Sequence, residues 1–166
     1  MSINKQFKRT IESMGSRLIL AKISLISKPI GLFYHQLFER DGKPSLDIAL
    51  NPKDGTIVYV NFILQDESLV YLNSTPAMEK CELQFTLPAE EITTNNYHHF
   101  SHAEFTAAIC DKDLWVFRND FDSSLFDCYS IDDENGLLFK NGVFLGIVFK
   151  KLSDYEIEQL HISGYG

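Results

Sequence analysis

The chain has 166 residues, enough for one ordinary domain, and its 45% hydrophobic and 13% aromatic content is typical of a globular protein. A net charge of −8 and an isoelectric point near 5.0 argue against nucleic-acid binding, because that requires a clustered basic surface to displace counterions from phosphates. Three cysteines without a CxxC pair favour a reducing compartment, and no apolar run is long enough for a signal peptide or a membrane span. We therefore expect one cytoplasmic domain covering residues 1–166, in contact with neither nucleic acid nor membrane.

Apolar residues recur every three or four positions within residues 1–28. The stripe consists of Ile3, Phe7, Ile11, Met14, Leu18, Ala21 and Leu25. These spacings place side chains on one face of a helix, so the pattern predicts an amphipathic N-terminal helix that ends before Pro29. We expect the stripe to pack on the protein's own domain, with a membrane surface or a partner's groove as the alternatives.

Residues 30–150 are predicted to form a β-rich body, because short apolar runs alternate there with turn signals. Asp41-Gly42 predicts a hairpin between residues 30–39 and 45–50. Residues 56–64 are apolar on both faces, which predicts a central strand that is covered on both sides. Further strands are predicted at residues 68–72, 81–87, 114–117 and 125–130.

The C-terminal part carries two local signals. Asn141-Gly142 joins two apolar runs within residues 137–149, and because both residues tolerate positive φ, the pair predicts a hairpin. Ser153 and Glu156 have the spacing of a capping box, which predicts a short helix over residues 153–161. The expected fold class is therefore α+β, with an N-terminal amphipathic helix, an antiparallel sheet of about eight strands and a short C-terminal helix.

Residues 111–134 contain eight acidic and two basic residues and account for −6 of the net charge. Interleaved aromatic residues provide apolar surface for folding, so we expect a folded acidic face, not a disordered tail. Alternation places Trp115 and Phe117 on one side of a strand, and Trp115 is expected in the core or, as the alternative, at an interface. Residues 1–40 carry a net charge of +5, so this basic segment could neutralise the acidic face internally.

A folded acidic face suits a basic protein partner. Small acidic α+β proteins of this appearance include the immunity proteins that block bacterial toxins, although no motif places the chain in a family. We expect a non-enzymatic module that neutralises a basic partner, in particular an immunity-type inhibitor of a toxin such as a nuclease, without a cofactor or a metal. Acids in predicted loops should be freer than acids in strands. The residues expected to bind the partner are Asp111, Asp113, Trp115, Asp120, Asp122, Asp127, Asp132, Asp133 and Glu134.

Three other functions remain as alternatives. On a helix, His98 and His102 would share a face and could bind a metal with His99, as in a small metal-dependent enzyme. However, residues 93–101 are polar and lack a helical stripe, so a solvated histidine-rich loop is expected. The others are a secretion chaperone-like client binder and a structural subunit that assembles through its sheet edge.

Overall fold

The computed structural model describes residues 7–26, 31–39, 42–51, 53, 57–65, 69–80, 98–119 (98–100 by backbone alone), 126–141 and 143–165. In these residues, thirteen strands precede one short helix. The strands are β1 (Phe7–Gly15), β2 (Leu18–Leu25), β3 (Phe33–Phe38), β4 (Leu46–Leu50), β5 (Ile57–Gln65), β6 (Val70–Tyr71), β7 (Met78–Lys80), β8 (His98–His102), β9 (Phe105–Cys110), β10 (Asp113–Arg118), β11 (Phe126–Ser130), β12 (Asn135–Lys140) and β13 (Val143–Phe149). The helix is α1 (Asp154–Ile162), and no helix in the described residues is long and apolar enough to cross a membrane.

The strands form two mixed sheets. Sheet A has the order β1-β2-β5-β4-β3-β8, in which β3 and β8 are parallel and the other neighbours are antiparallel. Sheet B has the order β6-β9-β10-β13-β12-β11-β7, with parallel pairs at both edges, β6–β9 and β11–β7. The predicted α+β class with one antiparallel sheet is therefore wrong, because the described fold is mostly β.

The predicted N-terminal helix is also wrong: β1 and β2 form an antiparallel hairpin. In β2, Ile19, Ala21 and Ile23 are buried and alternate with half-buried neighbours, which is the period of a strand. A spacing of four, as between Phe7 and Ile11, fits a strand as well as a helix, because four is twice the strand period. Met14, which the helical stripe placed in the core, is 55% exposed.

Several local predictions are confirmed. β3 and β4 form the predicted hairpin, and β5 lies inside sheet A between β2 and β4. β12 and β13 form a hairpin in which Asn141 has a φ of 50°. Ser153 and Glu156 form the predicted capping box at the start of α1. The strand predicted at residues 81–87 lies outside the described residues.

The main core combines side chains from both sheets, which therefore pack face to face. Phe62 of β5 and Phe105 of β9 meet across it edge to face, with ring centroids 6.1 Å apart. Leu160 of α1 belongs to the same core. A second cluster covers the other face of sheet B and contains Trp115, and Phe117 packs against it as the alternation predicted.

Candidate functional site

Strand β10 extends the predicted acidic stretch from one end of sheet B toward the other. Asp111 and Lys112 join β9 to β10, and residues 131–134 join β11 to β12. These turns lie at the same end, because Leu114 near the start of β10 and Asn135 at the start of β12 both pair with Phe149, the last residue of β13. β10 runs from there to Arg118, so its connection to β11 begins at the other end of the sheet.

Six carboxylates at the first of these ends form what we call the acidic end. They are Asp111, Asp113, Asp132, Asp133 and Glu134 of sheet B and its turns, and Asp154 of α1. Helix α1 reaches this end because the chain enters it directly after β13, where the backbone N–H of Leu152 donates to the carbonyl of Lys112 at 2.7 Å. The structure thus brings together five of the nine residues that the sequence predicted.

The other four predicted residues do not join the acidic end in the described structure. Trp115 is fully buried in the second cluster of sheet B and has no surface for a partner to contact. Asp127 is half-buried in β11, where it lies beside Glu79 of β7. Asp120 and Asp122 are outside the described residues.

Two carboxylates of the acidic end stabilise the local backbone. Asp113 accepts a hydrogen bond from the backbone N–H of Lys151 at 2.9 Å. Asp132 accepts one from the backbone N–H of Glu134 and one from the side-chain amide of Asn135, both at 2.9 Å. Such Asx-type contacts fix the shape of a turn, so Asp132 sets the direction in which its neighbours point.

Arg9 connects sheet A to the acidic end. Its Nε and Nη2 donate to the two carboxylate oxygens of Glu156 at 2.8 and 2.7 Å. Its Nη1 donates to the carbonyl oxygens of Lys150 at 2.7 Å and Glu134 at 3.2 Å. The side chains of Arg9 and Glu156 are only 9% and 11% exposed, so this bidentate pair is a largely desolvated contact between β1 and α1.

Glu156 remains ionised in this environment. Burial alone raises the pKa of Glu156, but hydrogen bonds from Arg9 and from the backbone of Ser153 favour the charged form. The resulting pKa of Glu156 lies below its ordinary value of 4.5. The group therefore acts as the partner of Arg9 and as a helix cap, which is a structural use of a carboxylate.

Asp111 and Asp133 are the carboxylates that the acidic end leaves most available. Both are exposed, and neither forms a hydrogen bond or an ion pair with any other residue that the structure describes. Glu134 is partly available, because its side chain is 57% exposed and its carboxylate lies 4.0 Å from Arg9. Asp154 pairs with Lys112 at 3.1 Å at the surface, where solvent weakens the attraction.

The basic N-terminal segment neutralises part of this end. Arg9 carries that neutralisation through its contacts with Glu156 and Glu134. Lys22 lies on the face of sheet A opposite to Arg9, where its Nζ is 5.0 Å from the centroid of the Tyr59 ring. The contacts of Arg9 do not include Asp111 or Asp133, and both of these residues are exposed to solvent.

The histidine segment is a strand and not the expected loop. β8 pairs with β3 along residues 98–102, and Nε2 of His102 lies 3.0 Å from the carbonyl oxygen of Glu39. The Cα atoms of residues four apart in a strand are roughly 13 Å apart, so the helical arrangement of His98 and His102 is not formed. Among the described residues, no group of three potential ligands is placed to hold a metal ion.

Sequence reasoning missed the buried pair at this end. The capping box identified Glu156, but its partner Arg9 lies 147 positions away along the chain, and no local pattern connects them.

No protein-family model matches the chain, and no curated protein matches it either. The functional argument therefore rests on the geometry and the charge of the acidic end.

Proposed function

We propose that the protein is a non-enzymatic binding module whose acidic end receives a basic protein partner. Within this class we assign it the role of a cytoplasmic immunity-type inhibitor of a bacterial toxin, such as a nuclease. The observation that carries the proposal is the pair of exposed carboxylates of Asp111 and Asp133, which have no internal partner in the described structure. A basic substrate cleft offers the complementary charge, and carboxylates can take the place of the phosphates that such a cleft binds.

The backbone conformation of the two turns supports this proposal. Asp111 has a φ of 52° in the short connection between β9 and β10, and Asp133 follows Asp132, whose carboxylate holds the adjacent turn. Carboxylates on a turn whose backbone is already ordered lose little backbone entropy when a partner arrives. They also steer a partner of opposite charge and raise the association rate, an effect that salt reduces.

The proposal is tested by charge reversal with a control of equal net charge. The test variant is Asp111→Lys/Asp133→Lys. The control variant is Glu12→Lys/Glu79→Lys, because both glutamates are exposed and lie on β1 and β7, away from the acidic end. Exposed substitutions usually change stability by less than about 0.5 kcal/mol each, and lysine at the positive φ of position 111 costs somewhat more, so both variants should still fold.

Wild type and both variants are immobilised and exposed to lysate of the source cell at low and high salt, and retained proteins are identified by mass spectrometry. We expect wild type and the control variant to retain the same basic protein at low salt, and the test variant to lose it. Retention of the same protein by all three forms would refute a role for the acidic end. Retention of many unfolded polypeptides would favour a chaperone-like client binder instead.

A further inference from the structure

A groove of about 170 Å³ opens between the edge of sheet B and helix α1. Its apolar lining includes Leu69 and Tyr71 at β6, Ile109 of β9, Ile157 and Leu160 of α1, and Tyr165. An apolar cavity of about 150 Å³ accommodates a benzene molecule, so this groove has room for one large apolar side chain.

One wall of the groove is held in place before anything binds. The hydroxyl of Tyr165 donates to the carbonyl of Arg17 at 2.9 Å, and the backbone N–H of Tyr165 donates to the carbonyl of Leu160 at 2.9 Å. The guanidinium of Arg17 lies 4.4 Å from the centroid of the Tyr165 ring. Because Tyr165 is only 2% exposed and fixed on two sides, a ligand would not need to order it.

Strand β6 borders the groove, and no described strand pairs with its outer side. The backbone N–H of Leu72 donates to the carbonyl of Ile109 at 2.8 Å, so Leu72 faces β9. Backbone groups of successive strand residues point to opposite sides, and Tyr71 therefore directs its N–H and C=O away from β9. The side chains of Val70 and Tyr71 are 44% and 63% exposed beside this edge.

The charge at the rim of the groove favours a basic ligand. Asp111 lines the groove, is exposed and has no partner among the described residues. It follows Ile109 by two positions, which places their Cα atoms roughly 7 Å apart in extended chain. His161 is the only basic side chain among the described lining residues, and it lies on α1, across the groove from β6.

We propose that β6 and this groove bind an extended segment of the basic partner by strand addition. The backbone of the segment pairs with Tyr71, a large apolar side chain fills the groove, and a lysine or arginine two positions away reaches Asp111. Alternate residues of a strand share one face, so the apolar and the basic side chain of the bound segment both point to the face of sheet B that borders the groove. This inference rests on the proposed function, because it specifies which part of the basic partner the module contacts.

The probe for this site is the peptide acetyl-Lys-Val-Leu-Val-Lys-amide, in which leucine and both lysines share a face in either strand direction. Binding is measured by calorimetry and by amide chemical shifts of the isotope-labelled full chain. We expect the shifts to concentrate at Tyr71, Ile109, Asp111 and Leu160. Shifts scattered over the surface without a common affinity would overturn the proposal.

Three changed peptides separate the contributions without altering the protein. Replacing leucine by alanine should weaken binding about tenfold, because the groove is left unfilled. Replacing both lysines by glutamate should abolish it, and N-methylation of leucine and of the following valine should do the same, since it removes the backbone donors. An N-methylated peptide that binds as well as the parent would rule out strand addition.

The variant Tyr71→Pro tests the edge in the protein. Proline is tolerated on an edge strand where the N–H faces outward, so the fold should be kept while the peptide is lost. A dimer of wild type that Tyr71→Pro abolishes would assign the edge to a second copy and overturn the proposal. A partner retained by Tyr71→Pro but lost by Asp111→Lys/Asp133→Lys would leave the proposed function standing and refute strand addition alone.

Discussion

Arg9 joins three parts of the molecule: strand β1, the turn before β12 and helix α1. Its guanidinium donates to Glu156 and to the backbone carbonyls of Glu134, Lys150 and Lys151. Each of these acceptors would lose a donor if the guanidinium were removed. A buried pair is costly to break because the remaining charge stays in a poorly solvated place.

We expect Arg9→Ala to lower the free energy of unfolding by about 3–5 kcal/mol, the range for removing one partner of a buried ion pair. Urea denaturation of both proteins measures the difference. The control is Lys112→Ala, which breaks an exposed pair with Asp154 and should cost less than about 1 kcal/mol. Equal losses in the two variants would mean that Arg9 does not hold the sheets and the helix together.

The lowered pKa of Glu156 predicts how this stabilisation depends on pH. A carboxylate with a depressed pKa stabilises the fold above its unfolded pKa, and the benefit disappears as the pH falls through the folded pKa. We expect wild type to be more stable than Glu156→Gln at neutral pH, and the difference to shrink progressively below pH 4.5. Urea denaturation across this pH range provides the measurement. A difference that does not change with pH would show that the charge of Glu156 contributes nothing.

At the scale of elements, the close approach of β10 and β13 depends on Gly146. A Cβ at this position would lie 1.9 Å from the carbonyl oxygen of Val116 and 2.8 Å from Cα of Phe117. Both obstacles are backbone atoms of the neighbouring strand, which cannot rotate away as a side chain could.

We therefore expect Gly146→Ala to lower the free energy of unfolding by about 1–3 kcal/mol or more, since 1–3 kcal/mol is the usual cost of overpacking. Thermal and urea denaturation measure the loss. Val143→Ala is the control, because Val143 begins the same strand and is 42% exposed. If Gly146→Ala unfolds at the same denaturant concentration as wild type, the described β10–β13 register is incorrect.

The elements that the sequence predicted correctly are those with local causes. Asn141 adopts the positive φ that its turn requires, and Ser153 with Glu156 caps α1 within one turn. The N-terminal helix failed because spacings of four satisfy both periods, while the alternation of Ile19, Ala21 and Ile23 was the signal of a strand. The division of the strands into two sheets was not predictable from the sequence, because several pairings join strands that are distant along the chain. These pairs are β6–β9, β3–β8 and β11–β7.

At the scale of the whole molecule, the acidic stretch was recognisable from the sequence but its arrangement was not. Clustering of charge along the chain did not reveal that β10 carries the stretch from one end of sheet B to the other. Loop acids were expected to be freer than strand acids, and Asp133 agrees with this expectation. Asp132 differs, because its carboxylate accepts hydrogen bonds from its own turn. Which carboxylates remain available therefore depends on contacts that composition does not encode.

The most direct test of the acidic end is the association rate of the captured partner with wild type, Asp111→Lys/Asp133→Lys and Glu12→Lys/Glu79→Lys, measured at increasing salt. Both variants change the net charge equally, so a difference between them isolates the position of the charge. We expect the acidic-end variant to associate about tenfold or more slowly at low salt and to lose most of the salt dependence, while the control follows wild type. Equal slowing of both variants, or of neither, would contradict a binding function for the acidic end.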